Sequence, residues 1–202
     1  MRLIIARHGA TAWNAVDRLQ GDIDIPLSPL GHQQAEQLAR ALAHEPLDVI
    51  YASALQRTQE TAKPIAIRKE LAVSIDARLN EFDWGIFKGI PRSERDAHPE
   101  LGPLWREVQA NLHTTNKHKG ELFINFEQRV VTVLRELATT HPDQTVLVVA
   151  HGAVKRMMIA QITNVPFEEL WEQQWQTGSY SIVQYNNGQF TIEQLHVTDH
   201  LT

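Results

Sequence analysis

The chain has 202 residues, of which 43% are hydrophobic and 21% charged, a composition typical of a globular protein with one sizeable domain. Its net charge of −5 disfavours nucleic acid and anionic membrane as partners. The absence of cysteine excludes disulfides, thiolate metal sites and a cysteine nucleophile.

The N-terminal stretch MRLIIARHG has one arginine and then four apolar residues before its next charge. This apolar run is too short for the core of a signal peptide, and no segment of the sequence has the length of a membrane-spanning helix. We therefore expect a cytoplasmic protein that does not bind a membrane.

Three short apolar runs predict buried strands, at residues 2–6, 47–52 and 145–150. Each contains β-branched residues, lacks a polar–apolar alternation and is bounded by polar residues or glycine, as expected for strands that are covered on both faces. A later segment, residues 180–195, does alternate and is broken by Asn187-Gly188, which predicts a β-hairpin.

Helical patterns lie between these strands. An apolar stripe with i, i+3, i+4, i+7 spacing follows Ser28 and Pro29, a pair typical of a helix N-cap and first helical position. Ser53 is placed to cap a second helix that runs through Ala66. The other predicted helices are a segment with an apolar stripe from Phe123 to Leu137, residues 153–163 and residues 167–176.

Strands that alternate with helices predict an α/β fold. We expect a three-layer α/β/α architecture with a mostly parallel central sheet, helices on both faces and an antiparallel edge hairpin near the C-terminus. Residues 1–202 are predicted to form this single domain. Residues 83–125 are rich in proline, glycine and charge, which predicts an insertion that stands above the sheet.

Polar residues follow each of the three predicted strands. Arg7-His8 comes after the first, Ser53 to Arg57 after the second, and His151-Gly152 after the third. Because ligands of open α/β sheets bind at the carboxyl ends of strands, two arginines and two histidines should meet at one edge. Guanidinium groups bind phosphate oxygens bidentately, so a dianionic phosphate is the simplest ligand for this cluster.

An imidazole beside a bound phosphate indicates phosphoryl transfer through a covalent phosphohistidine. The attacking nitrogen must be neutral, and the surrounding cations stabilise the charge that develops on the phosphoryl oxygens. The departing alkoxide then needs a proton, which a carboxylic acid can supply.

Five sequence blocks extend this interpretation: RHGATAWN, RLQGDIDIPLSPLG, SALQRTQETA, LNEFDWGIFKG and VVAHG. Together they resemble the histidine phosphatase (phosphoglycerate mutase-like) superfamily, and more specifically its phosphatase branch. The blocks occur in the family's order between residue 2 and about residue 155, which makes the resemblance far more specific than a single Arg-His-Gly triplet.

The resemblance implies a role for each matching residue. His8 would be the phosphorylated nucleophile, and Glu81 in LNEFDWG would be the proton donor. The phosphate pocket around His8 would consist of Arg7, Arg57 and His151. Substrate contacts are implied for Asn14, Gln20, Gly21 and Gly152. No metal or dissociable cofactor is implied.

The implied activity is that of a phosphomonoester hydrolase of the histidine acid phosphatase type. Its partner would be a small phosphorylated metabolite, and inorganic phosphate would be a product. The sequence departs from the family pattern at Lys88, where many members have Glu, and in GELF (residues 120–123), which lacks the Ser that often follows Gly-Glu. We therefore expect residues 83–125 to face the substrate and to determine specificity.

Two alternative functions remain open at this point. A cofactor-dependent phosphoglycerate mutase would use the same His8 and return the phosphoryl group to the substrate. A non-catalytic module would bind phosphorylated ligands without turnover. The oligomeric state is also open, with a homodimer as one alternative.

Two other groups of polar residues are less specific. His196 and His200 have the i, i+4 spacing of zinc ligands on a helix, but they follow a predicted hairpin and lack a third ligand nearby, so we predict no metal site. The second group is interpreted as a solvated loop rather than a nucleic-acid surface and consists of His113, Lys117, His118 and Lys119.

Overall fold

A six-stranded sheet forms the centre of the computed structural model, which describes residues 1–171, 173 and 175–201. In chain order the strands are β1 (Arg2–Arg7), β2 (Val49–Ala52), β3 (Val73–Ile75), β4 (Thr145–Ala150), β5 (Tyr180–Asn186) and β6 (Gln189–Val197). Their spatial order is β3-β2-β4-β1-β5-β6. The pairs among β1 to β4 are parallel, whereas β5 runs antiparallel to β1 and β6 antiparallel to β5.

Helices cover both faces of this sheet. They are α1 (Pro29–Ala41), α2 (Gln56–Lys69), α3 (Arg92–Ala97), α4 (Leu101–Ala110), α5 (Phe123–Thr140), α6 (Gly152–Thr163) and α7 (Phe167–Trp171). Alternate residues of β1 point to opposite faces: Leu3 packs with α5 and α6, and Ile4 packs with α1 and α2. All six residues of β4 are buried, which explains its unbroken apolar sequence. The predicted three-layer α/β/α class is confirmed.

Two local predictions are also confirmed in detail. The Ser28 hydroxyl accepts a hydrogen bond from Gly31 N at 3.2 Å and caps α1, which begins at Pro29. Asn187 and Gly188 join β5 to β6 with φ values of 51° and 82°, the left-handed pair that a two-residue hairpin turn of this twist requires.

Two helix predictions are corrected. The helix after β2 begins at Gln56 with Leu55 as its N-cap, because the Ser53 hydroxyl hydrogen-bonds a histidine side chain and Leu55 N instead of capping the helix. The helix predicted at residues 167–176 ends at Trp171, although residues 172 and 174 lie outside the described part of the chain. The Leu170 and Gln173 carbonyls accept hydrogen bonds from Arg156, at 3.1 Å each, rather than serving a continued helical ladder.

The insertion at residues 83–125 contributes to the core as well as to the surface. It contains α3 and α4, and Trp84, Phe87 and Trp105 are buried in the same hydrophobic cluster as Ile5 of β1. The prediction of a solvated loop is wrong for His118, because this residue has no exposed surface and its Nε2 bonds Glu121 O at 2.9 Å.

The two ends of the insertion are joined at its base. Ile86 N donates to His118 O at 2.8 Å, and Glu121 N donates to Asp83 O at 3.0 Å. A side chain at Gly85, whose φ is +54°, would place its Cβ 1.9 Å from His118 O, so only glycine allows this approach. The first and last residues of the insertion are therefore held together, close to Glu81 in the chain.

Within the described ranges, no helix is both long enough and apolar enough to cross a membrane.

Candidate active site

The parallel strands bring the predicted site residues to one edge of the sheet. Arg7 is the last residue of β1, and the backbone N–H of His8 donates to Ala150 O of β4 at 2.9 Å. His151 follows β4 directly, and its ring centroid lies 5.3 Å from that of His8. Arg57 reaches the same place from the first turn of α2 and bonds His151.

The His8 imidazole is buried, with 3% of the residue exposed. Its Nδ1 lies 2.7 Å from Gly9 O. Because a carbonyl oxygen can only accept, Nδ1 carries the proton and the lone pair of Nε2 is available to a reacting group. Burial, together with the guanidinium groups of Arg57 and Arg7, lowers the pKa of His8 well below its ordinary value. The imidazole is therefore neutral at neutral pH.

The backbone that carries His8 is fixed by two helices. Gly9 N donates to the Thr61 hydroxyl of α2 at 3.0 Å, and this hydroxyl donates to Arg57 O at 2.6 Å. A Cβ at Gly9 would come within 2.5 Å of Gly31 O in α1, a distance that a side chain cannot adopt. The nucleophile candidate is thus held on a backbone with little freedom to move.

Arg57 is fully buried and donates through all three of its nitrogens. Nε bonds His151 Nδ1 at 3.2 Å, Nη1 bonds Ile23 O at 2.7 Å and Nη2 bonds Gly21 O at 2.8 Å. Burial lowers the pKa of Arg57 to about 10, so the group remains a cation at neutral pH. Of its five N–H groups, two have no partner among the described residues and can face an anion.

The protons of His151 are oriented by a short polar chain. Because Nδ1 accepts from Arg57, Nε2 carries the proton and donates to the Ser53 hydroxyl at 2.8 Å. Ser53 also accepts from Leu55 N, so its own proton points to the Thr58 hydroxyl at 2.8 Å. Burial and then Arg57 lower the pKa of His151 well below its ordinary value. His151 is therefore a neutral imidazole with one defined tautomer.

Arg7 retains donors that have no protein partner. Its Nη1 donates to Trp175 O, whereas its Nε is buried and has no hydrogen-bond partner among the described residues. A buried unpaired donor is costly, which indicates a site for an anion beside His8. Burial lowers the pKa of Arg7, and the nearby Glu81 carboxylate opposes this shift.

Glu81 lies at the N-terminus of α6. Its Oε1 accepts from Phe82 N at 3.0 Å, and both carboxylate oxygens lie 3.2 Å from Ala153 N. The first turn of a helix has free backbone N–H groups that such an oxygen can accept from. Because α6 starts directly after His151, this bond places Glu81 at the edge of the same pocket.

Asn14 and Gln20 present their amides in different ways. The Asn14 carbonyl oxygen accepts from Thr11 N at 2.9 Å and from the Thr11 hydroxyl at 3.0 Å, so only its Nδ2 can donate to a ligand. Gln20 is buried, and its Oε1 has no partner within the described residues. Nδ2 of Asn14 and Oε1 of Gln20 are therefore available to a ligand.

The two predicted glycines lie close to charged side chains. A Cβ at Gly21, whose φ is +55°, would lie 2.8 Å from Cδ of Lys88, and one at Gly152 would lie 3.2 Å from Nη1 of Arg156 and 3.7 Å from Nε of Arg7. Lys88 itself bonds Asp22 and Asp83, both at 2.6 Å. These two carboxylates neutralise Lys88, so it is poorly suited to bind an anionic substrate group.

Sequence reasoning missed Lys155 and Arg156 on α6. Lys155 is fully buried, its Nζ bonds the Ser179 hydroxyl at 3.2 Å, and it lies 5.1 Å from the ring centroid of Trp175. Burial, followed by Arg7 and Arg156, lowers the pKa of Lys155 well below its ordinary value. The one available signal was its i+4 spacing from His151, which places both residues on the same face of the helix.

We expect the Lys155→Met variant to be more stable than the wild type by about 1–3 kcal/mol at pH 7, because the buried amine is removed. Since the folded-state pKa is lowered, the unfolded chain binds one more proton between that value and about 10.4, and wild-type stability rises with pH there by up to about 1.4 kcal/mol per unit. The free energy of unfolding, measured with urea at several pH values, should rise less steeply with pH for the variant than for the wild type. The exposed Lys63→Met variant is the control, and parallel curves for Lys155→Met and the wild type would contradict the expectation.

His196 and His200, the two histidines with zinc-like spacing, contact different groups. His196 packs against the Trp175 ring at 5.3 Å, and His200 Nε2 bonds Gly178 O at 3.1 Å. Among the described residues, no group of three His, Asp or Glu side chains is arranged to hold a metal ion.

The chain is similar to known proteins over nearly its whole length. A family model described as histidine phosphatase superfamily (branch 1) matches residues 3–198. Phosphoserine phosphatase 1 of Hydrogenobacter thermophilus is 36% identical over 202 residues, which is 100% of this chain and 94% of that protein. Adenosylcobalamin/alpha-ribazole phosphatase of Escherichia coli is 31% identical over 199 residues, covering 97% of this chain and 96% of the relative.

The fold is also similar to that of a solved structure. The solved structure of Bacillus stearothermophilus YhfR has a TM-score of 0.89 and 28% sequence identity, covering 100% of this chain and 99% of that one. The likeness therefore extends over the whole chain, including the insertion at residues 83–125.

Proposed function

Because the chain belongs to branch 1 of the histidine phosphatase superfamily, we propose that it hydrolyses phosphomonoesters through a covalent phosphohistidine on His8. The observation that carries this proposal is the buried, neutral His8, whose free Nε2 adjoins the cationic groups of Arg7 and Arg57. Phosphoserine and α-ribazole phosphate are substrate types suggested by the names of the relatives.

In the first step, the Nε2 lone pair of His8 attacks phosphorus and the ester P–O bond breaks. The electron pair of that bond goes to the departing oxygen, which takes a proton from the Glu81 carboxylic acid. Arg7 and Arg57 donate hydrogen bonds to the phosphoryl oxygens, where charge redistributes in the transition state. The Nδ1–H bond to Gly9 O keeps the imidazole in the required tautomer.

In the second step, water attacks the phosphohistidine. The P–N bond breaks, its electron pair returns to Nε2, and the proton of water goes to the Glu81 carboxylate. Inorganic phosphate leaves, and Glu81 is again protonated for the next turnover. Asn14, Gln20, Gly21, His151 and Gly152 contribute to binding in this proposal.

A phosphoglycerate mutase is the second candidate function. It would use the same His8 but would have to keep water away from the phosphohistidine. The short insertion at residues 83–125 favours hydrolysis. The histidine acid phosphatase type, the single-domain organisation, the cytoplasmic location and a homodimer stay predictions.

The proposal is tested by measuring phosphate release from a panel of phosphorylated metabolites that includes phosphoserine and α-ribazole phosphate. We expect release from at least one member of the panel. A parallel assay contains 3-phosphoglycerate and a trace of the bisphosphate. Isomerisation that is faster than phosphate release would establish the mutase instead, and no turnover in either assay would support the non-catalytic module.

A further inference from the structure

Arg129 on α5 reaches the short chain segment that carries Glu81. Its Nη1 donates to Arg78 O at 2.5 Å and to Asn80 O at 2.7 Å, and its Nη2 donates to Glu81 O at 3.3 Å. Three carbonyl groups within four residues therefore converge on one guanidinium. The planar guanidinium has five N–H donors, so it can bind these carbonyl oxygens at the same time.

The Arg129 guanidinium is itself held in place by Glu121. Nε lies 2.6 Å from Oε1 and Nη2 lies 2.8 Å from Oε2, a bidentate ion pair. The two side chains are only 19% and 18% exposed, and the guanidinium also covers the ring of Phe126 at 4.9 Å. A bidentate pair of this kind defines the orientation of the guanidinium as well as its position.

Glu81 is consequently fixed at both ends. Its carbonyl oxygen is bound by Arg129 and its carboxylate by Ala153 N. We propose that Arg129 is a positioning residue that holds Glu81 against α6, and that Glu121 serves the same purpose by orienting Arg129. This inference rests on the proposed function of Glu81 as proton donor.

The first test uses the dependence of catalysis on the leaving group. We expect Arg129→Met to lower kcat/KM for an alkyl phosphomonoester by about 10–100-fold, because the alkoxide needs the proton of a well-placed Glu81. With p-nitrophenyl phosphate, whose leaving group needs no proton, the loss should stay below about 3-fold. Arg135→Met, an exposed arginine on the same helix, is the matched control and should leave both substrates unaffected.

A double-mutant cycle shows whether Arg129 acts through Glu81. In a Glu81→Gln background, Arg129→Met should add no further loss with the alkyl substrate. Losses that multiply, or a loss that is equal for the two substrates, would overturn the proposal. If Arg129→Met does not fold, Arg129→Lys and Glu121→Gln take its place, because each weakens the carbonyl contacts while retaining most of the side chain.

Amide hydrogen exchange gives a readout that needs no activity. The Ala153 N–H is bound by Glu81. If Arg129 holds Glu81 in place, this amide proton should exchange faster in the Arg129→Met variant than in the wild type, and at the wild-type rate in Arg135→Met. Unchanged exchange at Ala153 would contradict the positioning role of Arg129 but would not affect the proposed function. A wild-type protein that releases no phosphate would instead contradict the proposed function, so the two failures can be told apart.

Discussion

A His8→Asn variant should lose at least about 10⁴-fold of the phosphatase activity and form no phosphoenzyme, because the attacking nitrogen is removed. Asparagine is the informative replacement here. Its amide N–H can keep the hydrogen bond that Nδ1 makes to Gly9 O at 2.7 Å, while nothing replaces Nε2. The variant therefore separates loss of the nucleophile from loss of local structure.

The measurement is a rapid quench with substrate labelled in its phosphoryl group. Wild-type protein should carry label that is stable to base and labile to acid, as expected for a phosphorus–nitrogen bond. His32→Asn, an exposed histidine on α1, is the matched control and should behave as the wild type. Label or turnover that persists in His8→Asn, with an unchanged Tm, would show that another residue is the nucleophile.

Glu81→Gln is expected to have the second-largest effect, and its size should depend on the substrate. For an alkyl phosphomonoester we expect kcat to fall by about 10²–10⁴-fold, because a general acid contributes by this factor to the departure of an alkoxide. Glutamine keeps one oxygen that can accept from Ala153 N, so the fold at the N-terminus of α6 is preserved.

p-Nitrophenyl phosphate separates the two steps of the reaction. Its leaving group departs without a proton, so the variant should release one equivalent of nitrophenol in a burst and then turn over slowly while phosphohistidine accumulates. Stopped-flow absorbance measures this burst. A Glu94→Gln variant should show no effect. Equal losses of kcat/KM for the alkyl and aryl substrates would mean that Glu81 is not the proton donor, because kcat/KM reports the step in which the leaving group departs.

Sequence patterns predicted the parts of the fold that depend on burial. Strands β1, β2 and β4 are continuous apolar runs because helices cover both faces of the central sheet. Strand β3 was missed, since it is a three-residue edge strand in which Ser74 and Ile75 are exposed. The helices α3 and α4 were also missed, because α3 is short and polar and both lie in a segment rich in proline and glycine.

Sequence patterns indicate the candidate site residues that directly follow strands. They do not indicate residues whose contacts lie far away in the chain. Arg7, His8 and His151 follow directly from the strand pattern, and their proximity is confirmed by the structure. Nothing local marks Arg129, because its partners at residues 78–81 lie about 50 positions away in the chain. The only signal for Lys155 is its i+4 spacing from His151, because its burial depends on Ser179 and Trp175, which lie later in the chain.

The joined base of the insertion has a consequence for how this architecture can vary. Ile86 and His118 are already hydrogen-bonded to each other, so the chain between them is a closed loop whose ends stay together whatever its length. Doubling the length of such a loop costs only about 0.6 kcal/mol of closure entropy. Exposed parts of residues 87–117 can thus change in length while the joined ends keep their positions, provided that Phe87 and Trp105, which are buried with Ile5, are kept.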